Sequence, residues 1–281
     1  VPALVRRATG ADVDVDVLGH RSWTPGLALV ADRFADRRVF LAGDAAHLFT
    51  PTGGFGMNTG VDDVANLSWK LAARLAGWGG PDLLASYECE RRPVAERNTA
   101  AARRLNMNLG KLRLGPLLEQ STLPGRRERE RVGGLLSMYG EQFASIGVQL
   151  GARYDGSPVI AADSDPPPDS PAAYVPTSVP GGRAPHAWRR GKRDRGDSLF
   201  DLLGPGFTLL RLGTRPAAVT GMTAAAERAG VPLTVLELPA AHIRDMYERD
   251  LVLIRPDQYV AWRGNRSPDD PAALLAKVTG K

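Results

Sequence analysis

The chain has 281 residues, 43% hydrophobic and 24% charged, with a net charge of +5; these are ordinary values for a globular protein long enough to bury two cores. No stretch approaches the ~18 uninterrupted apolar residues of a membrane span, and the opening VPALVRRATG lacks the apolar segment of a secretory signal. One cysteine, Cys89, excludes an intrachain disulfide and suits a reducing cytoplasm.

Residues 12–32 alternate in places (VDVDVLG, then LALVADRF), which predicts two short strands joined through Ser22–Gly26. Val39–Ala42 is a continuous apolar run and fits a parallel-type strand buried on both faces. A helix is expected from Asn58 to Ala76, with Val61, Val64, Ser68, Leu71, Ala72 and Leu75 on one face. Thr59 with Asp62 resembles a capping box, Asp62 and Asp63 suit the positive helix end, and Gly77 stops the helix. A second helix starts near Asp82, and Pro93 either kinks it or begins a third. Helical character is expected again over 121–150.

Residues 156–186 are rich in Pro, Ser, Asp and Gly and read as an extended surface linker. Beyond it the pattern is β-α-β-α-β-β-α: strands 207–212, 232–238, 251–255 and 259–263, helices 221–230, 240–250 and 269–277. This order reads as two crossover units followed by a hairpin. The basic runs GRRERERV (125–132) and WRRGKRDRGD (188–197) carry interleaved glutamates or glycines and no interleaved aromatics. They read as a solvated helix face and a loop, so no nucleic-acid partner is expected. The four histidines show no metal-ligand spacing with Cys89, so no metal is expected either.

The chemistry concentrates in RVFLAGDAAHLFTPTGGFGMNTG, Arg38–Gly60. Asp44 ends a strand, where open α/β sheets bind ligands, and its carboxylate can accept hydrogen bonds from sugar or polyol hydroxyls. Gly53, Gly54 and Gly56 let the backbone approach a flat ligand. Amides near Met57 and Asn58, at the positive end of the next helix, can stabilise negative charge on a ring. As a turn residue Asp44 would need no such loop after it. His47, in a turn beside the strand end, reads more readily as a structural hydrogen-bonding group than as a base. Arg21 and Trp23 are candidates for the edge of a substrate pocket. Cys89 falls within a helix and reads as inert.

RVFLAGDAAHLFTPTGGFGMNTGVDDVANLSWKLA resembles the second FAD-binding motif of the flavin-dependent aromatic hydroxylases, the family typified by para-hydroxybenzoate and phenol hydroxylases. The resemblance continues through LLASYECERRPVAERN and resumes at PGGRAPHAW, LFDLLGPGFTLLRLG and LVLIRPDQYVAWRG, similar to a thioredoxin-like C-terminal domain. It implies that Asp44 binds the ribityl chain of FAD, that Pro51 lies near the reactive side of the flavin, and that the Gly53–Asn58 backbone holds the pyrimidine edge. It implies an α/β fold: the end of a substrate-binding sheet (1–37), the C-terminal part of a glutathione-reductase-like FAD domain (38–155), the linker, and a thioredoxin-like domain (187–281). That domain lacks paired cysteines, so structural support or a homodimer contact is its expected role. The implied activity is hydroxylation of an aromatic or polyketide-type substrate with NAD(P)H and O2.

One feature of the family is missing. No G-x-G-x-x-G segment precedes the motif, and no initiator Met is present. The expectation is a C-terminal portion of such an enzyme, inactive without its N-terminal FAD segment. A non-catalytic fragment or partner subunit, with the thioredoxin-like half as interaction module, is the alternative.

Overall fold

The computed structural model describes residues 1–22, 27–110, 113–189, 197–213 and 217–281. Helix α1 (Pro2–Thr9) leads into an irregular, mostly exposed stretch. The expected strand over VDVDVLG does not form: residues 13–19 have no backbone ladder to join, and alternation alone does not make a strand without a neighbour to pair with. Its proposed connection lies mostly outside the described residues. Strand β1 (Leu29–Val30) does form, and pairs antiparallel with β4 (His47–Leu48).

Strands β2 (Ala35–Asp36) and β3 (Val39–Phe40) make a small antiparallel hairpin. The Val39–Ala42 run is therefore not a parallel strand buried on both faces: it contributes two ladder residues, and Val39 is 64% exposed. Helix α2 (Phe55–Leu75) follows the glycine-rich loop, and α3 (Pro81–Leu109) packs against it. Pro93 lies inside α3, which continues as one helix.

The expected face of α2 is inverted. Val61, Val64 and Leu75 are exposed, at 60%, 56% and 86%. The buried row is Phe55, Thr59, Asp63, Asn66, Trp69, Lys70 and Ala73. Since α2 begins at Phe55 with Gly54 at its N-cap, Thr59 and Asp62 sit within the helix and form no capping box. Asp63 is buried because Arg91 of α3 supplies a matching charge.

Short helices α4 (Leu123–Leu136), α5 (Gly140–Phe143) and α6 (Ile146–Leu150) confirm the helical reading of 121–150. The stretch 156–186 is irregular, but its ends are packed: Val159, Ile160, Ser178 and Ala184 are buried, and bridges join Arg153 to Gly182 and Arg183 to Tyr259.

The C-terminal elements follow the sequence pattern closely: β5 (Phe207–Leu212), α7 (Thr220–Ala229), β6 (Leu233–Leu238), α8 (Ala241–Tyr247), β7 (Leu251–Ile254), β8 (Val260–Gly264) and α9 (Pro271–Thr279). The sheet order is β6-β5-β7-β8. Only β5 and β6 are parallel; β7 runs antiparallel to both β5 and β8, so the second helical connection does not return the chain in parallel. Alternate residues of these strands feed two cores. Leu210, Leu212, Val252 and Ile254 pack with Ile243 and Tyr247 of α8. Phe207, Leu209, Leu251 and Leu253 pack with Met222 of α7 and Leu275 of α9, in the same cluster as Trp69, Ala73, Leu83 and Val94 of α2 and α3. One hydrophobic core thus runs from the α2–α3 pair into the C-terminal sheet. A backbone tie closes the far end: the Gly80 amide donates to the Thr279 carbonyl, and the Asp82 amide to that of Gly280. Among the described residues no helix is long and apolar enough to cross a membrane.

Candidate functional site

The turn Gly43–Ala45 presents Asp44 as an exposed carboxylate. Asp44, Gly56 and Met57 line one open concavity of about 390 Å³, together with Gly43, Gly60, Val61 and Val64. Gly53, Gly54 and Asn58 open instead onto a second cleft of about 560 Å³, shared with Asn98, Arg183 and residues 256–259. Pro51 is exposed and lines neither. The seven residues expected at the cofactor are thus divided: Asp44, Gly56 and Met57 line the first concavity, Gly53, Gly54 and Asn58 the second cleft, and Pro51 neither. Gly53 and Gly54 carry the chain through the left-handed region (φ 86° and 68°), and the Gly54 amide donates to the Pro51 carbonyl at 3.2 Å.

Because α2 starts three residues earlier than expected, its free donors change. The first-turn amides of Phe55, Gly56 and Met57 lack intrahelical acceptors by helix geometry, and no side chain caps them. Asn58 contributes its side chain instead, Nδ2 donating to the Gly54 carbonyl at 2.9 Å. Arg21 lies in the exposed irregular stretch and lines neither concavity. Trp23 lies outside the described residues.

Behind the Asp44 turn sits a buried group of which sequence reasoning had found only His47, as a structural hydrogen-bonding residue. The Asp63 carboxylate, fully buried, accepts from the Gly43 amide at 3.0 Å and from Arg91 Nε at 2.8 Å, and lies 2.6 Å from His47 Nε2. Arg91 also donates to the Thr59 carbonyl and the Tyr154 hydroxyl, both at 3.2 Å. Burial acts to raise the Asp63 pKa, but the His47 hydrogen bond and the Arg91 charge outweigh it and hold the carboxyl below its usual range. His47 is thus a buried structural group. Cys89 is exposed on α3, its thiol donating to the Ser86 carbonyl.

A second buried group lies along the same helices. Glu90 accepts from Arg255 Nη1 and Nη2 (2.6 and 2.9 Å), Lys70 Nζ (2.6 Å), Ser157 Oγ (2.6 Å) and Asn66 Nδ2 (2.7 Å). Arg255 also donates to Asp257 at 2.6 and 3.0 Å, and its guanidinium lies 5.1 Å from the ring centroids of Trp69 and Tyr154. The available signal for both groups was the polar row 59, 63, 66, 70, which has helical spacing just as the apolar row does.

Two family profiles match the chain: the FAD binding domain over residues 2–102 and the aromatic-ring hydroxylase C-terminal domain over 177–281. Both matches are to domains of FAD-dependent aromatic-ring hydroxylases, which this chain resembles. It is 36% identical over 281 residues to the FAD-dependent monooxygenase apdD of Emericella nidulans, covering 94% of this chain and 44% of that protein. To the tetracenomycin B2 monooxygenase-dioxygenase of Streptomyces olivaceus it is 34% identical over 290 residues, covering 99% and 49%. The rebeccamycin biosynthetic enzyme RebC, solved with reduced flavin, superposes with a TM-score of 0.87 at 41% identity over 99% of this chain and 52% of that one. The chain thus spans about half the length of the curated relatives it matches.

Proposed function

We propose that the chain is the flavin-cradling and C-terminal portion of an FAD-dependent monooxygenase that hydroxylates an aromatic or polyketide-type substrate with NAD(P)H and O2. The observation that carries this reading is the Asp44 concavity. An exposed carboxylate stands beside the uncapped first turn of a long helix, a donor and acceptor set that suits a polyol chain ending in an electron-rich ring. Asp44 would accept from ribityl hydroxyls, and the amides of Phe55–Met57 would hold the pyrimidine edge and favour its negative charge. FAD, when bound, supplies the oxygen-activating chemistry. This chain's part is to bind it, orient it and bias its charge.

The outer row of α2, with Met57, Val61, Val64 and Leu75 exposed, supports a place within a longer polypeptide whose other half brings the pyrophosphate site. The C-terminal unit fits a thioredoxin-like architecture, on the support of its β6-β5-β7-β8 order with α7 and α9 on one face and α8 on the other. The chain's single cysteine is in α3, outside that unit, so dithiol exchange is not its work. A free-standing interaction module fits less well, because the unit shares its core with α2 and α3. The test is FAD titration of the intact protein, followed by flavin fluorescence and visible absorbance. Saturable binding, weakened ~10-fold or more in Asp44→Ala as loss of a charge-assisted hydrogen bond implies, is expected. Affinity unchanged by that substitution would overturn the assignment of Asp44.

A further inference from the structure

We infer that Asp63 is a positioning residue for the flavin site: it fixes the Gly43–Asp44 turn against α2 and so sets how tightly Asp44 engages its ligand. The inference rests on the flavin reading of the Asp44 concavity and extends it to a residue with no access to that concavity.

The geometry is specific. Asp44 is exposed and projects from a three-residue turn. The residue before it, Gly43, has a left-handed backbone (φ 58°) and gives its amide to Asp63 Oδ2 at 3.0 Å. The same oxygen lies 2.6 Å from His47 Nε2, on the strand that follows the turn. The two contacts bracket Asp44 on either side in sequence and tie both flanks to one atom of α2. The other oxygen, Oδ1, is held by Arg91 of α3 at 2.8 Å, so the carboxylate cannot rotate without breaking an ion pair that is fully buried at both ends.

A close backbone contact completes the arrangement. A Cβ built on Gly60 of α2 would stand 3.1 Å from the Gly43 Cα. Helix and turn therefore meet with only glycine between them, one helical turn from Asp63. An alanine at 60 would push the turn outward by tenths of an ångström while leaving every charge in place. Such small displacements matter for a carboxylate whose hydrogen bonds depend on position.

A purely structural Asp63 would hold the helices together and affect the ligand only by lowering stability. A positioning Asp63 acts through Asp44, and a double-mutant cycle separates the two. FAD dissociation constants would be measured by fluorescence quenching on the intact protein and its Asp44→Ala, Asp63→Asn and double variants. Asp63→Asn is expected to weaken binding ~10-fold or more, and the double variant to bind no more weakly than Asp44→Ala alone. Additive losses would overturn the inference. Because Asp63→Asn leaves Arg91 without its partner and can prevent folding, Gly60→Ala runs in a parallel cycle with Asp44→Ala. It is expected to weaken FAD binding through Asp44 in a protein that still folds, the helix propensity of Ala over Gly offsetting part of the strain at the turn. Unchanged affinity in Gly60→Ala, or a loss additive with Asp44→Ala, would each overturn it. If the unsubstituted protein binds no FAD, the flavin reading itself falls, an outcome distinct from those two.

Discussion

Two buried ionic groups flank the same helix, and they are built differently. Around Asp63, one carboxylate faces the Arg91 guanidinium, an imidazole and a backbone amide, and His47 Nδ1 has no partner among the described residues. Around Glu90, two acids and two bases close on one another: Lys70 and Arg255 against Glu90 and Asp257. The first group reaches toward a turn at the surface. The second reaches from α2 and α3 to the β7–β8 connection, where Asp257 borders the second cleft and not the Asp44 concavity. A buried carboxylate bonded to a backbone turn at the surface can transmit position, whereas a balanced cluster adds cohesion and register. On one helix the molecule thus separates adjusting a site from fastening the C-terminal unit beneath it.

The comparison breaks most directly at Arg255. Replacing it with Met leaves Glu90 and Asp257 buried with one cation between them, and removing one member of a buried pair typically costs ~3–5 kcal/mol. A urea denaturation curve should show a loss of that size. A loss under about 1 kcal/mol would mean that the cluster is not what fastens the unit.

Acid pH should weaken the same cluster more gradually. Burial acts to raise the Glu90 pKa, but Arg255 and Lys70 drive it far below its ordinary value of 4.5. Below about that ordinary value the unfolded chain takes up a proton that the folded chain refuses, so stability falls as pH drops. Asp63, also lowered, acts in the same direction. A stability profile that stayed flat from neutral pH through the carboxylate range would refute both shifts. In the alkaline range the slope has the same sign but comes from a different group. Burial, against the attraction of Glu90, pulls the Lys70 ammonium from 10.5 down to about 8. Between those values the unfolded chain holds the extra proton, so stability should rise with pH. Lys70→Gln should flatten that rise, and an identical rise in the variant would mean that another group causes it.

How far the fold was legible follows from the same contrast. Strands β5 and β7 are apolar on both faces, and both faces are covered by apolar helices, so runs such as LVLIR declared themselves. The row on α2 misled because the hydrophobic pattern marks a buried face only when its partner is apolar as well. Here α3 meets α2 with Glu90 and Arg91, and the polar row went inward. Arg255 read as the polar end of a strand, since its partner Glu90 is 165 residues away in the chain. At the candidate site, Asp44 and the glycines could be proposed because they lie within one short stretch of the chain. Asp63 was visible only as a helix-end charge, because its role depends on Gly43 and His47, residues in an earlier turn and strand.

The smallest expected effect is also the sharpest separation of the two regions. Asp44 is exposed, so Asp44→Ala should change stability by no more than about 0.5 kcal/mol, as surface substitutions usually do. It should still weaken FAD binding ~10-fold or more. Arg255→Met should do the reverse: a large loss of stability, with FAD affinity little changed under conditions where the variant stays folded. If Arg255→Met weakened FAD binding as much as Asp44→Ala, the closed cluster would not be closed. Its strain would be passing along α2 to the Gly43 turn, and the division between the two groups would have to be given up.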